Sequence, residues 1–396
     1  MRPPPRRREA GRGEIREKHY NVSESDAFRD SGIPVLERRL SRARFLRLVG
    51  AGAGLSLVPA SLTGLGVGVA SAQTAPGILG SGEYPIVLWW PPPPEQTTTQ
   101  RYQEIAAAGF TFVIGGNGVR TDTTNQTALD VAKANNLRFL LWDSKLVSLI
   151  RDNAPQTAVS DRIKQLSQRF PTSTYPARAG LCLRDEAHTM QFPILTYGKG
   201  VLQGLDSKQL PWVNLYGYTT DPNLTGVSNY EEYLRLYVDQ VKPPFLFFDH
   251  YPLVSDTAIT LRCFENWALI RKHSLQAGIP SWGFIQSVGF KWNDNSYLPR
   301  RRPNEAELFW QVNVSLAYGA KGLQYFTYWT PKSDSTVTFG EALVAVGGNR
   351  TPLYDYAKRV NNYLKVVGKV LLPLKSVSVV HAGESTLPPG TTALPA

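Results

Sequence analysis

Cysteine and histidine are scarce in this 396-residue chain, which has only two cysteines and five histidines. A framework of several disulfides is therefore excluded. We expect Cys182, in a strand-like apolar run, and Cys263, in a helix-like one, to be buried free thiols. A metal site would need His188 and His250 to converge with an acid, and no His-x-His pair follows the first strand-like run. We therefore predict neither a metal nor another cofactor.

Runs of basic residues with interleaved aromatic residues are absent from most of the chain. The formal net charge is +11, but residues 1–72 hold 13 Lys and Arg against 7 Asp and Glu, which leaves 30 against 25 for the rest. More than half of the excess, +6 of +11, therefore lies in the N-terminal segment. This distribution argues against a nucleic-acid-binding protein.

The first 72 residues are typical of an export signal. An arginine-rich stretch ends in Ser41-Arg-Ala-Arg-Phe-Leu-Arg47, an apolar run follows, and Ala70-Ser-Ala72 has the small residues of a cleavage site. The stretch resembles the bacterial twin-arginine signal, with Ala43 in the place of the second arginine. We predict a bacterial protein, secreted or at the cell surface, that uses the export machinery and keeps no membrane span after processing. The alternative is an uncleaved membrane anchor.

After a linker at 73–84, short apolar runs alternate with longer amphipathic ones. Near-continuous apolar strands are typical of a parallel sheet covered on both faces, and no Gly-x-Gly-x-x-Gly turn follows the first run. The repeat averages roughly 34 residues, which suits a βα unit. The sequence therefore predicts an α/β protein with a (β/α)8 TIM barrel at 85–370 and a short β-like C-terminal tail at 371–396. The eight strand-like runs are 85–90, 110–114, 138–142, 179–183, 212–216, 245–248, 281–285 and 322–326.

The predicted C-terminal strand ends carry acids, amides and aromatic residues. In such a barrel, binding and catalytic side chains stand at these ends. The mixture suits sugars, because sugar faces stack on aromatic rings while hydroxyls bind carboxylates and amides. The alternative for the tryptophans is a place in the core. The predicted contacts of a carbohydrate substrate are Trp90, Asp143, Tyr216, His250, Tyr251, Gln286 and Trp329.

Two adjacent acids, Asp185 and Glu186, follow the fourth strand-like run, and Asp249 follows the sixth. Glycoside hydrolysis needs two carboxyl groups on opposite sides of the scissile bond. Glu186 is the candidate proton donor, because the neighbouring carboxylate of Asp185 disfavours a second negative charge. The alternatives are a structural ion pair with Arg184 for the adjacent acids and a capping role for Asp249.

These segments resemble the bacterial glycoside hydrolases of the (β/α)8 clan A superfamily. The fourth strand of that group reads Gly-x-x-x-x-Asp-Glu-Pro, and here the stretch is Gly180-Leu-Cys-Leu-Arg-Asp-Glu-Ala187. The resemblance covers about 85–374 and implies a glycosidase with Glu186 as general acid/base. Further similar segments are 92–95, 248–252, 317–322, 325–329 and 351–355.

The chain departs from that superfamily at two positions. Asp185 stands where the superfamily usually has Asn, and Gln286 stands where it has the nucleophilic Glu after the seventh strand. Because an amide is not a competent nucleophile, we expect Asp249 to be the second carboxylate, with Asp185 and Gln286 orienting the substrate. Two alternatives remain. One is a substrate-assisted enzyme of the hexosaminidase type that uses Asp185 with Glu186, and the other is a non-catalytic glycan-binding protein.

Overall fold

The computed structural model describes residues 82–254, 258–383, 387–388 and 390–394. The predicted export segment at 1–72 and most of the linker at 73–84 lie outside these ranges. Of the helices that the structure describes, none combines the length and apolarity that a membrane crossing requires.

Eight parallel strands form a nearly closed barrel, in the order β5-β4-β3-β2-β1-β11-β9-β6. Leu215 joins the two ends of this sheet: its N–H donates to the Phe247 carbonyl (2.9 Å), and its carbonyl accepts from the Asp249 N–H (3.3 Å). The predicted (β/α)8 fold is confirmed. The strands of the described residues are β1 (Ile86–Leu88), β2 (Phe112–Ile114), β3 (Arg138–Leu141), β4 (Arg178–Arg184), β5 (Leu210–Val213), β6 (Leu246–Phe248), β7 (Leu253–Val254), β8 (Ala258–Ile259), β9 (Ser281–Gln286), β10 (Phe290–Trp292), β11 (Gly322–Phe326) and β12 (Val337–Phe339).

Helices cover the outside of the barrel, and their buried residues pack against the strands in one core cluster. The helix between β4 and β5 is α5 (Phe192–Leu205). An additional helix, α3, begins directly after β3 and was not predicted. The helices are α1 (Thr99–Ala107), α2 (Asp122–Ala134), α3 (Ser144–Arg151), α4 (Gln156–Arg169), α5 (Phe192–Leu205), α6 (Pro222–Thr225), α7 (Tyr230–Val241), α8 (Arg262–Ala277), α9 (Glu305–Ala317) and α10 (Pro352–Leu371).

Aromatic side chains fill the centre of the barrel at its C-terminal end. Trp89 stacks on Trp142, with ring centroids 5.5 Å apart and an interplanar angle of 18°. It also contacts Trp212 on β5, Phe284 on β9 and Phe326 on β11. Such rings bury large apolar areas, so this end of the barrel is a packed core rather than an open pore.

Two small antiparallel pairs, β7 with β8 and β10 with β12, extend this end of the barrel. They lie in the segments that follow β6, β9 and β11, and therefore at the C-terminal ends of the parallel strands. Backbone bonds between Phe290 and Arg300, of 2.8 and 2.7 Å, fold the loop after β10 back toward the barrel.

The tail after α10 runs back against α8 and α9 instead of forming the predicted β-like segment. Its only pairing within the described residues is an isolated bridge between His381 and Ala393. The Arg271 Nε donates to the Ser376 Oγ at 2.8 Å, and the Tyr318 hydroxyl lies 2.9 Å from the His381 Nε2. Side chains of the barrel helices therefore hold the tail in place.

Candidate active site

Two clefts open at the C-terminal ends of the strands, on either side of the end of β4. The first, over the ends of β1 to β4, is called the tryptophan cleft. The second, over the ends of β4 to β6, is called the carboxylate cleft. The tryptophan cleft is lined by Trp89, Trp90, Asn117, Trp142, Arg184 and Asp185, among others. The carboxylate cleft includes Glu186, Tyr216, Tyr218, Asp249, His250 and Tyr251.

The end of β4 directs its two acids into different clefts. Glu186 has a φ of 53°, in the left-handed region that is costly for a residue with a Cβ atom. At this turn Asp185 lines the tryptophan cleft and Glu186 lines the carboxylate cleft. This separation disfavours an enzyme in which Asp185 and Glu186 act together on one substrate group.

Glu186 and Asp249 share the carboxylate cleft and are both buried, with 8% and 6% of their surfaces exposed. The Asp249 Oδ1 accepts from the Gly217 N–H at 3.1 Å, and its Oδ2 accepts from the Tyr251 hydroxyl at 3.4 Å. A Cβ atom on Gly217 would lie 2.4 Å from the Asp249 carbonyl oxygen, so only glycine allows this approach. The cleft therefore holds two buried carboxyl groups, the number that glycoside hydrolysis uses, and hydrogen bonds orient that of Asp249.

Tyr216 lies close to these acids. Burial raises the pKa of its hydroxyl well above the usual range, and the negative charge of Glu186 raises it further. The Tyr230 hydroxyl donates to the Tyr216 carbonyl at 2.7 Å and fixes the backbone there. The Tyr216 hydroxyl is therefore a neutral hydrogen-bond donor next to the carboxylates.

His250 is a neutral imidazole in the same cleft. Burial, together with the positive charge of Arg300, lowers its pKa to about 3. The His250 Nδ1 lies 3.2 Å from the Asn266 Oδ1, which is an acceptor. When Nδ1 donates to this oxygen, Nε2 is left as an acceptor, and Nε2 has no hydrogen-bond partner among the described residues. This nitrogen is itself buried.

No protein-family description and no curated protein sequence matches this chain. Three solved β-galactosidases have the same architecture. The structure from the psychrophilic Marinomonas ef1 superposes with a TM-score of 0.56 at 11% identity, over 75% of this chain and 63% of that one. The structure from Bacillus circulans sp. alkalophilus superposes with a TM-score of 0.57 at 11% identity, over 76% of this chain and 58% of that one. A catalytic mutant of a GH42 β-galactosidase from G. stearothermophilus superposes with a TM-score of 0.57 at 10% identity, over 76% of this chain and 59% of that one.

The chain has the fold of the (β/α)8 glycosidase barrels. It spans about three fifths of the length of the three β-galactosidases. At this level of identity the likeness concerns the fold.

Asp143, predicted as a substrate contact, has a structural position instead. Its Oδ1 accepts from the Leu146 N–H at 2.7 Å and caps α3. Both of its oxygens also bind the Arg162 guanidinium, at 2.9 and 2.6 Å. It lines neither cleft. The correction has a simple cause: a helix begins directly after β3, and its unpaired N–H groups take the carboxylate as their acceptor.

Trp329 is also a structural residue rather than a sugar platform. It is 3% exposed and lies in the core between the barrel and its helices. The Arg101 guanidinium stacks over it, 5.5 Å from the ring centre. Trp90, in contrast, is half-buried and lines the tryptophan cleft. Both tryptophans follow a barrel strand, and only their packing distinguishes them.

Gln286, which stands at the usual place of the nucleophile in the superfamily that the sequence resembles, is fully buried and lines neither cleft. Its Oε1 accepts from the Leu253 N–H at 3.0 Å. Its Nε2 donates to the carbonyls of Leu253 and Arg301, at 3.3 and 2.7 Å. The amide therefore fastens the loops after β6 and β10 to β9, and the predicted role in orienting substrate is not available to it.

Replacing Gln286 with glutamate is expected to destabilise the fold and not to create a nucleophile. The new carboxylate would face two carbonyl oxygens and lose both donated bonds, at a cost of roughly 3 kcal/mol. Thermal unfolding of Gln286→Glu measures this, with the exposed Gln168→Glu on α4 as the matched control. An unchanged melting temperature together with increased activity would contradict the structural role.

Metal ligands do not gather in the part of the chain that the structure describes, which contains no group of three or more His, Cys, Asp or Glu side chains placed to hold an ion. His188 caps a short turn after β4, where its Nδ1 accepts from the Met190 N–H at 3.0 Å. Cys182 and Cys263 are buried and free, as predicted.

Two further residues of the carboxylate cleft, Tyr297 and Arg300, were not predicted. They belong to the loop after β10, well beyond the end of β9 in sequence, and no motif marks them. The backbone pairing of Arg300 with Phe290 and the bond from the Arg301 N–H to the Leu253 carbonyl bring this loop to the cleft.

Proposed function

We propose that the protein is a glycoside hydrolase that cleaves an oligo- or polysaccharide in the carboxylate cleft. The observation that carries the proposal is the placement of Glu186 and Asp249, two buried carboxyl groups that line one cleft at the catalytic end of a (β/α)8 barrel. The fold shared with solved β-galactosidases supports it.

In this proposal Glu186 is the general acid/base and protonates the glycosidic oxygen as the bond breaks. Asp249 is the second carboxylate and acts on the anomeric carbon, either directly or through a water that it deprotonates. The Gly217 N–H and the Tyr251 hydroxyl hold Asp249 in orientation. The neutral Tyr216 hydroxyl provides a donor for sugar hydroxyls.

A hydrolysis screen of residues 73–396 against a glycan library tests the proposal. We expect at least one glycan to release new reducing ends, and we expect the release to require both Glu186 and Asp249. Hydrolysis of no glycan by the folded protein would contradict the proposed activity.

A second candidate function is glycan binding without cleavage. It is favoured by two observations: the aromatic cluster around Trp89 fills the centre of the barrel mouth, and Gln286 replaces the usual nucleophile. Retention on immobilised glycans with no product after long incubation would select this candidate.

We also propose that residues 1–72 export the folded protein in a bacterium, so that it acts outside the cell or at its surface. The support is the arginine-rich stretch, the apolar run and the Ala70-Ser-Ala72 site. Residues 1–84 fused to a reporter are expected to export it from cells with the twin-arginine pathway and not from cells without it. Export that is equal in both would refute this route.

A further inference from the structure

Three arginines line the tryptophan cleft: Arg120 after β2, Arg151 at the end of α3 and Arg184 at the end of β4. Arg151 is neutralised by Asp152, which it binds through two nitrogens at 2.6 and 2.8 Å. Neither Arg120 nor Arg184 has an ion pair with any carboxylate of the described residues. Two guanidinium groups that form no ion pair with the described residues therefore border one cleft.

Arg184 is held in place while most of its donors stay available. Its Nε donates to the Gln191 Oε1 at 3.1 Å, and Gln191 is itself buried. Its two terminal nitrogens have no hydrogen bond to the described part of the chain. A guanidinium fixed in this way is prepared for a two-point bond to a planar or tetrahedral anion.

Asp185 is the one carboxylate in the lining of this cleft, and it does not cancel the positive charge. Burial raises the pKa of Asp185 and so favours its neutral form, while the hydrogen bond from the Asn214 Nδ2, at 3.0 Å, and the positive charge of Arg184 oppose this shift. Even with Asp185 fully ionised, Arg120 and Arg184 leave the cleft with an excess of one positive charge.

The rest of the lining suits a sugar ring. Trp142 and Trp89 are stacked, and Trp90 stands edge-on to Trp89 at 82° with ring centroids 5.6 Å apart. The Trp90 Nε1 is buried and has no acceptor among the described residues. The Asn117 Nδ2 donates to the Pro91 carbonyl at 2.8 Å, which leaves its Oδ1 as an acceptor. Apolar ring faces and single polar groups alternate here, as in carbohydrate sites.

We propose that the tryptophan cleft binds an acidic sugar unit, one that carries a carboxylate or a sulfate ester. Arg120 and Arg184 bind the anionic group, and Trp90 and Trp142 contact the sugar ring. The proposal rests on the proposed function and deepens it. The two clefts meet at consecutive residues of the chain, so one glycan can occupy both, with its acidic unit beside the bond that is cleaved. The substrate class is then an acidic polysaccharide.

Binding to a glycan array tests this directly, with each acidic glycan printed beside its carboxyl-reduced or desulfated counterpart. Glu186→Gln is used so that bound glycans are not cleaved, and Asp249→Asn serves in its place if that variant does not fold. We expect retained glycans to be acidic and their neutral counterparts to bind at least about tenfold more weakly. Retention of carboxylated or of sulfated glycans identifies which anion is recognised. Equal binding within pairs, or retention of no acidic glycan, would overturn the inference.

The arginines are tested by substitution in the same background. Arg120→Met is expected to weaken binding of the retained acidic glycan about tenfold and its neutral counterpart little. Arg235→Met, on the exposed face of α7, is the matched control. Binding should also weaken with added salt. If Arg120→Met and the control bind the acidic glycan equally, Arg120 does not contact the anion and the inference is wrong.

The two proposals fail in different ways. If the wild-type protein cleaves neutral glycans and retains no acidic ones, the proposed function stands and this inference is wrong. If the protein retains acidic glycans through Arg120 and cleaves none, this inference stands and the proposed hydrolase activity is wrong.

Discussion

Glu186→Gln is expected to lower kcat on a cleavable glycan by about 10²–10⁴-fold, the usual contribution of general acid–base catalysis. The amide keeps the size of the side chain but has no proton to give to the glycosidic oxygen. KM is expected to change little, because the sugar is held mainly by the aromatic and polar residues around the carboxyl groups. Steady-state kinetics measure both constants, and Glu232→Gln, on the exposed face of α7, is the matched control.

The need of the leaving group for a proton distinguishes the two possible roles of Glu186, as a proton donor or as a structural carboxylate. An aryl glycoside whose phenol leaves without protonation is expected to restore much of the bond cleavage that Glu186→Gln loses on the glycan. A uniform loss on both substrates, with a lowered melting temperature, would show that Glu186 supports the fold and is not the acid. Full activity on the glycan would remove it from the mechanism altogether.

Asp249→Asn is expected to reduce turnover by about 10³-fold or more on the glycan and on the aryl glycoside alike. The asparagine Oδ1 can still accept from the Gly217 N–H, so the loop geometry is retained. The amide, however, neither attacks the anomeric carbon nor deprotonates a water. The control is Asp130→Asn on the exposed side of α2, for which no change is expected.

Small-anion rescue provides a second test of Asp249. With Asp249→Ala, added azide can enter the space of the missing carboxylate and is expected to raise turnover of the aryl glycoside. An Asp249→Asn variant that retains most of its activity would mean that the second carboxylate is elsewhere. In that case the glycosidase mechanism drawn from this cleft would be wrong.

The barrel was predictable because its strands are buried on both faces. Each parallel strand then reads as a near-continuous apolar run, and all eight runs correspond to strands of the barrel. The helix α3 was missed because it follows β3 without a loop, so its capping residue, Asp143, looked like a strand-end ligand. The tail was misjudged because Ser376 and His381 bind Arg271 and Tyr318, contacts that the sequence pattern does not show.

The carboxylate cleft was largely predictable, since the ends of β4, β5 and β6 are neighbours in a closed barrel. Glu186, Tyr216, Asp249, His250 and Tyr251 were all expected there and all line it. The partners that engage other strand-end residues could not be read from the sequence. The bonds of the Gln286 side chain to Leu253 and Arg301 exist only once distant loops have folded together.

The division of Asp185 and Glu186 between two clefts could also not be predicted from the sequence. Adjacent acids after a strand look like one catalytic pair. The positive φ of Glu186 and the hydrogen bond from Asn214 to Asp185 set their directions, and both depend on the folded environment. The structure places Glu186 with Asp249, the second carboxylate expected from the sequence, in one cleft and Asp185 in the other.

The most direct test of the central claim is hydrolysis of one glycan measured side by side for Glu186→Gln, Asp249→Asn and Asp185→Asn. If Glu186 and Asp249 perform the chemistry, the first two variants lose kcat by about 10²-fold or more. Asp185→Asn, in contrast, keeps kcat within about tenfold of the wild type and acts mainly on KM. A loss of kcat in Asp185→Asn equal to that in Glu186→Gln, with Asp249→Asn still active, would contradict the account.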